Sequence, residues 1–236
     1  MPVQAGHTYT VLTFVDPAVP LDTILYVMDP KIARIVGSDF GHGPTPGGAL
    51  TTFTSQTTGT VYPIVGSYLQ KTQGRYSLRG FEQLLFNPLF ENGAAHWSGP
   101  FGTSAFIVDD GFDIEGEWLR MDRPLKTGFT RVQQSIASAG TLNRVRLSFL
   151  ANIGQSLTMT TTSAILEWRD ARNEIVRQSR VNIAGCAGIP GWDASYRYCE
   201  VTRYRPEGAT QAKLTFEAGS GTGSIFIDDV ALEAVE

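Results

Sequence analysis

The stretch Gly188-Ile-Pro-Gly-Trp-Asp-Ala-Ser-Tyr-Arg-Tyr198 gathers the residue types of a sugar platform. Pyranose C–H faces stack on aromatic rings, and a few fixed polar groups orient the hydroxyls. Trp192, Tyr196 and Tyr198 supply rings, Asp193 and Arg197 supply hydroxyl partners, and Trp118 in Glu115-Gly-Glu-Trp-Leu-Arg120 is a further candidate ring. The competing role for each ring is packing in a core or between subunits. A second feature closes the chain. In Gly221-Thr-Gly-Ser-Ile-Phe-Ile-Asp-Asp-Val-Ala-Leu-Glu-Ala-Val235, two adjacent carboxylates interrupt an apolar strand. Successive strand side chains face opposite sides, so Asp228 and Asp229 cannot both enter one core. One of them is expected at a strand rim, capping a turn or ligating a hard cation.

Catalytic signals are weaker. Asp109, Asp110, Asp113, Glu115 and Glu117 form an acidic cluster from which a glycosidase pair could be drawn, but acids in turns are ordinarily just solvated. His7, His42 and His96 are scattered, without a second ligand at metal spacing. No Ser or Cys nucleophile signature occurs, and Gly219-Ser-Gly221 reads as a turn. The expectation is a protein that is not an enzyme. Cys186 and Cys199 flank the aromatic stretch. They either staple a long loop, or remain two thiols in adjacent strands of a protein never oxidised.

The elements that must carry these residues read as strands. Glycine at 25 of 236 residues, frequent Thr and aromatics, and only 18% charged residues fit an all-β protein. Thr8–Phe14 alternates polar and apolar, and Thr23–Met28 follows it, closed by Asp29-Pro30. Further strands are predicted at 32–36, 50–53, 59–66 and 74–78, then at 142–150, 164–169, 174–181, 212–217 and 224–232. Pro63 removes a ladder donor and predicts an edge strand. Leu142, Val145, Leu147 and Phe149 are the expected inward positions of their strand, and Asp170–Asn173 a hairpin turn. A turn or two of helix is the most that 80–85 suggests. The segment Gly80–Phe86 is apolar and unlike a tether, so Phe81, Leu84 and Leu85 are expected at a domain junction. Trp97 is expected in a core, and Trp168 on either side of its strand.

Net charge −4 and a pI near 5.4 argue against a nucleic-acid partner, which needs a basic face. The arginines between Arg169 and Arg205 alternate with acids and read as a mixed-charge surface. No run of about 18 apolar residues predicts a membrane span. The start Met1-Pro-Val-Gln-Ala-Gly-His7 lacks the features of a secretory signal. A removed signal, or assembly in a cytoplasm followed by release on lysis, would each account for that.

Two resemblances organise the chain as 1–82 and 83–236. Ala5-Gly-His-Thr-Tyr-Thr10, Leu21-Asp-Thr-Ile-Leu-Tyr-Val-Met-Asp-Pro30, Phe53-Thr-Ser-Gln-Thr-Thr-Gly-Thr-Val-Tyr62 and the run from Val65 to Leu78 resemble, in order and spacing, the bacterial pre-peptidase C-terminal β-sandwich domain. Asp39 stands alone where that family usually carries an Asn-Asp-Asp run. The segment Asn87-Pro-Leu-Phe-Glu-Asn-Gly-Ala-Ala-His-Trp97, the approach Arg205-Pro-Glu-Gly-Ala-Thr-Gln-Ala-Lys-Leu-Thr-Phe216 and the closing Ile227-Asp-Asp-Val230 resemble jelly-roll carbohydrate-binding modules of the family 4/9/22 type. The resemblances imply two β-sandwich domains, the second a jelly roll. The second resemblance also implies a structural calcium between Glu91 and Asp228, with Asp229 as the alternative ligand, its shell of six to eight oxygens completed by main-chain carbonyls.

The functional expectation is a non-catalytic structural and adhesion protein on a virion surface, a spike or fibre component of a phage-like particle. Its first domain would anchor to other virion or cell-surface proteins, and its jelly roll would bind host glycans. A homo-oligomer is expected, since weak sugar sites gain from multivalency. The alternative is a secreted, extracellular carbohydrate-binding module of a polysaccharide-degrading enzyme. A third reading is a building block that has kept only packing surfaces.

Overall fold

A computed structural model describes residues 1–16, 18, 21–40, 45, 47–67, 73–109, 117–124, 127–136, 142–154, 162–189 and 195–235. Among these residues the regular structure is β, apart from one 3-10 turn at Ile183–Gly185. No helix among them is long and apolar enough to cross a membrane. The chain forms two compact units, one built on Met1–Gln83 and the other beginning at Leu84.

The first unit contains β1 (Pro2–Val3), β2 (Thr8–Val15), β3 (Thr23–Asp29), β4 (Arg34–Phe40), β5 (Leu50–Thr54), β6 (Gly59–Thr60), β7 (Tyr62–Ser67) and β8 (Tyr76–Glu82). Two three-stranded antiparallel sheets, β5-β2-β8 and β4-β3-β7, are joined by the ribbon β1-β6. Alternation in β2 and β3 sends Tyr9, Val11, Leu25 and Val27 into one core with Val3, Ala49, Phe53 and Val61. Pro63 lies on β7 at a sheet edge, where its missing donor leaves no gap in a ladder. Cross-strand threonine pairs, Thr10–Thr52 at 2.8 Å and Thr8–Thr54 at 3.0 Å, join β2 to β5. Gly80 and Phe81 continue β8, where the sequence suggested a helical turn.

The second unit carries β9 (Ala105–Asp109), β10 (Glu117–Asp122), β11 (Phe129–Ile136), β12 (Arg144–Asn152), β13 (Ser163–Arg169), β14 (Ile175–Asn182), β15 (Ala187–Gly188), β16 (Tyr196–Tyr204), β17 (Gln211–Gly219) and β18 (Ser224–Ala234). They make a six-stranded sheet, β15-β16-β12-β18-β10-β9, and a four-stranded sheet, β11-β17-β13-β14. Neighbours far apart in sequence are the mark of a jelly roll. Val145, Leu147 and Phe149 of β12, with Ile225, Ile227, Val230 and Leu232 of β18, face Val132, Leu166, Trp168, Leu214 and Phe216 across the sandwich. Leu84 and Leu85 belong to the same core. Phe149 meets Phe216 edge-on at 5.2 Å, Phe216 lies 6.0 Å from Trp97, and Trp97 lies 5.2 Å from Phe90. Trp97 is satisfied there, its indole N–H donating to the Asn87 carbonyl at 2.9 Å.

The paired aspartates resolve as a bulge. Ser148 pairs with Ala231, but Leu150 pairs with Asp228, so β18 spends one residue more than β12. Asp229 takes φ 51°, a left-handed conformation that Asp tolerates better than most residues. Ile225 and Ile227 face the core before the bulge, and Val230 and Leu232 after it. Asp228 therefore points to the other face of the sheet.

Several buried charged side chains of this unit are held by hydrogen bonds. Arg123 donates Nε to the Gly219 carbonyl at 3.0 Å and Nη2 to that of Ser220 at 2.7 Å. A Cβ on Gly221 would collide with that guanidinium, so Gly221 leaves the space it needs. Glu167 accepts from Arg169 at 2.9 Å and pairs with Lys213 at 3.0 Å. Burial alone would raise its carboxyl, but those hydrogen bonds and charges outweigh it and hold the pKa below the ordinary 4.5. A carboxyl depressed on folding stabilises above its unfolded pKa, and that contribution is lost as pH falls through the lower folded value. Acid denaturation followed by circular dichroism should thus show the second unit losing stability below about pH 4.5. Glu167→Gln should flatten that limb, and an unchanged limb would show that the pair contributes nothing.

Candidate functional site

The two sheets of the second unit do not close on all sides. β14 ends the four-stranded sheet, and β15, only two residues long, leaves most of β16 exposed at the edge of the six-stranded one. The connection between these edges turns through Ile183–Gly185. Ile183 is buried, and the Asn182 side chain accepts from the Ala184 amide at 3.1 Å. A disulfide joins Cys186 to Cys199 with Cα atoms 5.1 Å apart, deciding between the two alternatives left by the sequence. Cys199 is buried in the core beside Phe149. The bridge thus ties the turn to β16 at the floor of an open groove of about 510 Å³.

Arg180, Val181 and Asn182 form one wall, Gly185, Cys186 and Ala187 the end, and Tyr198, Cys199, Glu200, Val201 and Arg203 the other wall. Tyr198 is half-buried, and its hydroxyl donates to Glu200 Oε2 at 3.2 Å. Arg180 donates Nη1 to Glu217 Oε1 at 2.7 Å, and Arg203 donates Nη1 to the Thr202 carbonyl at 2.9 Å. A ring, a carboxylate and two guanidiniums thus share one solvent-open cleft. That set can stack on a sugar and exchange hydrogen bonds with its hydroxyls.

The sequence-predicted platform is distributed differently from the expectation. Trp192 and Asp193 lie outside the described residues. Tyr196 and Tyr198 belong to β16, on the sheet face opposite Cys199 and Val201, rather than to a loop. Tyr196 is buried and meets Trp118 edge-on at 6.3 Å. Trp118 has no exposed surface, which corrects its candidacy: a ring buried on every side offers no face to a ligand. Arg197 is half-buried and donates Nη1 to the Tyr196 carbonyl at 2.9 Å. Of the platform residues that are described, only Tyr198 lines the groove. Arg180, Asn182, Glu200 and Arg203 were not foreseen. Their one sequence signal was the pair of cysteines that draws β14's end to β16.

The acids follow suit. Glu91 accepts from the Glu117 amide, while Glu117 accepts from the Gly93 amide, both at 3.3 Å. Glu91 is thus engaged as a turn clasp. Asp228 pairs with Leu150 in the β12–β18 ladder and is buried, and Asp229 is the bulge residue. Among the described residues no three His, Cys, Asp or Glu side chains come together as a metal cluster. A calcium there would draw most of its six to eight oxygens from the main chain. Asp109 and Glu117 are cross-strand partners on β9 and β10, and Asp110, Asp113 and Glu115 lie outside the described residues.

No protein-family model matches this chain, and no curated protein matches it. Solved structures do. The enzymatically active domain of bacteriophage CBA120 tailspike protein 4 is similar at 16% identity with a TM-score of 0.51, over 65% of this chain and 21% of that one. The chain thus spans about a fifth of that protein, and the likeness is one of fold. TmCBM61, solved with β-1,4-galactotriose, is similar at 18% identity and TM-score 0.45, over 65% of this chain and 99% of that one. The N-terminal CBM22-1-CBM22-2 tandem domain of Paenibacillus barcinonensis Xyn10C is similar at 14% identity and TM-score 0.44, over 99% of this chain and 80% of that one.

Proposed function

We propose that this chain is a non-catalytic glycan-binding protein whose second unit receives sugar at the groove beside Tyr198. The observation that carries the reading is the groove itself. It joins an aromatic face to charged and amide side chains at the open edge of a jelly roll. Among the described residues Glu200 is the one carboxylate lining the groove, whereas glycoside hydrolysis uses a pair. Calcium enters the proposal as a structural ion at Glu91 and Asp228, not as part of the sugar site.

The finer proposal places the protein on a virion surface as a spike or fibre component that attaches to host glycans. The tailspike likeness supports it in fold. Several copies on one particle would raise a weak site's avidity through effective concentration. A secreted accessory module is the second reading, favoured by the disulfide, which persists in oxidising surroundings.

A glycan array probed with the purified chain, with calcium present or chelated, tests the shared core of both readings. Tyr198→Ala should weaken binding roughly tenfold, the ~1.4 kcal/mol scale of a lost stacking ring, while Tyr198→Phe keeps it. Trp192→Ala, run alongside, tests the ring that the sequence singled out. Silence across the array from folded protein would leave no glycan-binding function to assign.

A further inference from the structure

The groove's charge says more than its shape. The chain carries net charge −4, yet among the described residues two of the three charged residues lining the groove are arginines, Arg180 of β14 and Arg203 of β16. Arg203 sits on the face of β16 that also carries Cys199 and Val201, and is partly withdrawn from solvent. Its Nη1 bonds only to a main-chain carbonyl, and it makes no ion pair among the described residues. Arg131, Arg146 and Arg169, elsewhere in the same unit, each reach a glutamate. A partly desolvated guanidinium without a counter-charge lacks compensation that an anionic ligand would provide.

Arg180 is prepared in another way. One of its nitrogens is held by Glu217, whose side chain is 1% exposed. That carboxylate is shared with Arg131, so the triad Arg131–Glu217–Arg180 keeps one net positive charge. The anchor restrains Arg180, which lines the groove. Glu200 accepts from the Tyr198 hydroxyl.

Resting on the glycan-binding reading, we infer that the groove selects carboxylate-bearing sugars, uronic or sialic acid residues, with Arg203 as the principal carboxylate partner and Arg180 as the second. A guanidinium matches a carboxylate through two parallel N–H donors, a geometry that a neutral ester or hydroxymethyl cannot reproduce. A site built around such a pair rejects the neutral analogue more strongly than a stacking platform would. The groove's volume of about 510 Å³ lies within the usual span of small-ligand sites.

The test is an array of oligogalacturonates and sialyl-oligosaccharides, each printed beside its methyl ester, probed with the whole chain. Free acids should bind at least tenfold better than esters, and binding should fall as salt is raised. Arg203→Gln should abolish the preference and Arg203→Lys should retain part of it, both with unchanged melting, and Arg180→Gln should weaken it. If Arg203→Gln fails to fold, Arg180→Gln and the salt series still decide. Equal binding of acid and ester, or a preference surviving Arg203→Gln, overturns the inference. Binding to neutral glycans alone also defeats it but leaves the glycan-binding reading standing. Silence toward every glycan defeats both.

Discussion

Phe216→Ala is expected to cost the second unit about 4 kcal/mol of folding stability, within the range for emptying a large aromatic site. The side chain is fully buried where the sheets meet, edge-on to Phe149 and within ring contact of Trp97. Trp97 in turn holds Phe90, so this ring links both sheets to the segment that enters the unit. Removing it forfeits transfer free energy, leaves a cavity that neighbours on two sheets cannot both collapse into, and loses two aromatic pairs. Phe216→Leu, which keeps most of the volume, should cost far less. Denaturant unfolding monitored by tryptophan fluorescence would measure both. A loss below about 1 kcal/mol for the alanine variant would mean the ring does not bridge the sheets.

The second large effect concerns the bridge. Replacing Cys186 and Cys199 together by serine is expected to remove about 3 kcal/mol, the loop-entropy value for a cross-link of this span. It should also loosen the end wall of the groove, because the 183–187 turn would be held to β16 by little besides β15's two-residue ladder. Reductant should lower the melting temperature of the parent chain by the same amount and leave the double variant unmoved. Equal melting of reduced and oxidised parent would contradict the assignment of a stabilising role. Glycan affinity measured on the same samples separates a stapled scaffold from a stapled site.

What the sequence disclosed depended on how locally each feature is encoded. β2 and β3 were plain, because alternating Thr and apolar residues are decided within one strand. So was the β13–β14 turn, where Asp170 accepts from the Arg172 and Glu174 amides and Asn173 takes φ 64°. Val145, Leu147 and Phe149 face the core as their alternation required, and Leu142 packs against its rim. β11 escaped notice because Thr130 and Gln134 share its buried face with Val132 and Ile136. Gln134 is satisfied only by a distant partner, exchanging hydrogen bonds with the Phe86 main chain at 2.7 and 2.8 Å. β10 was hidden for a related reason: Trp118 is buried on one face and Leu119 and Met121 on the other, which erases the period-2 signal. The fate of an aromatic is not local either. Trp118 and Tyr198 have equal claim as sugar platforms in the sequence, and only the assembled sheet buries one and leaves the other at an edge. The groove's charged residues were the least legible, since Arg180 and Arg203 line one groove only because β14 ends its sheet and β16 lies one short strand from the end of the other.

The bulge at Asp229 means that β18 keeps count as well as composition. Val230 and Leu232 reach the core because the bulge absorbs the extra residue ahead of them, much as a frame is restored after an insertion. Were the full sequence to run on as a regular strand without the bulge, alternation would turn Ala231 and Glu233 inward and Val230 and Leu232 outward, although no residue had been altered. Losing one of the two aspartates would instead make the extra residue unnecessary and keep the same side chains inside by plain alternation. For this closing strand, the left-handed turn at Asp229 decides which side chains reach the core, and composition does not record it.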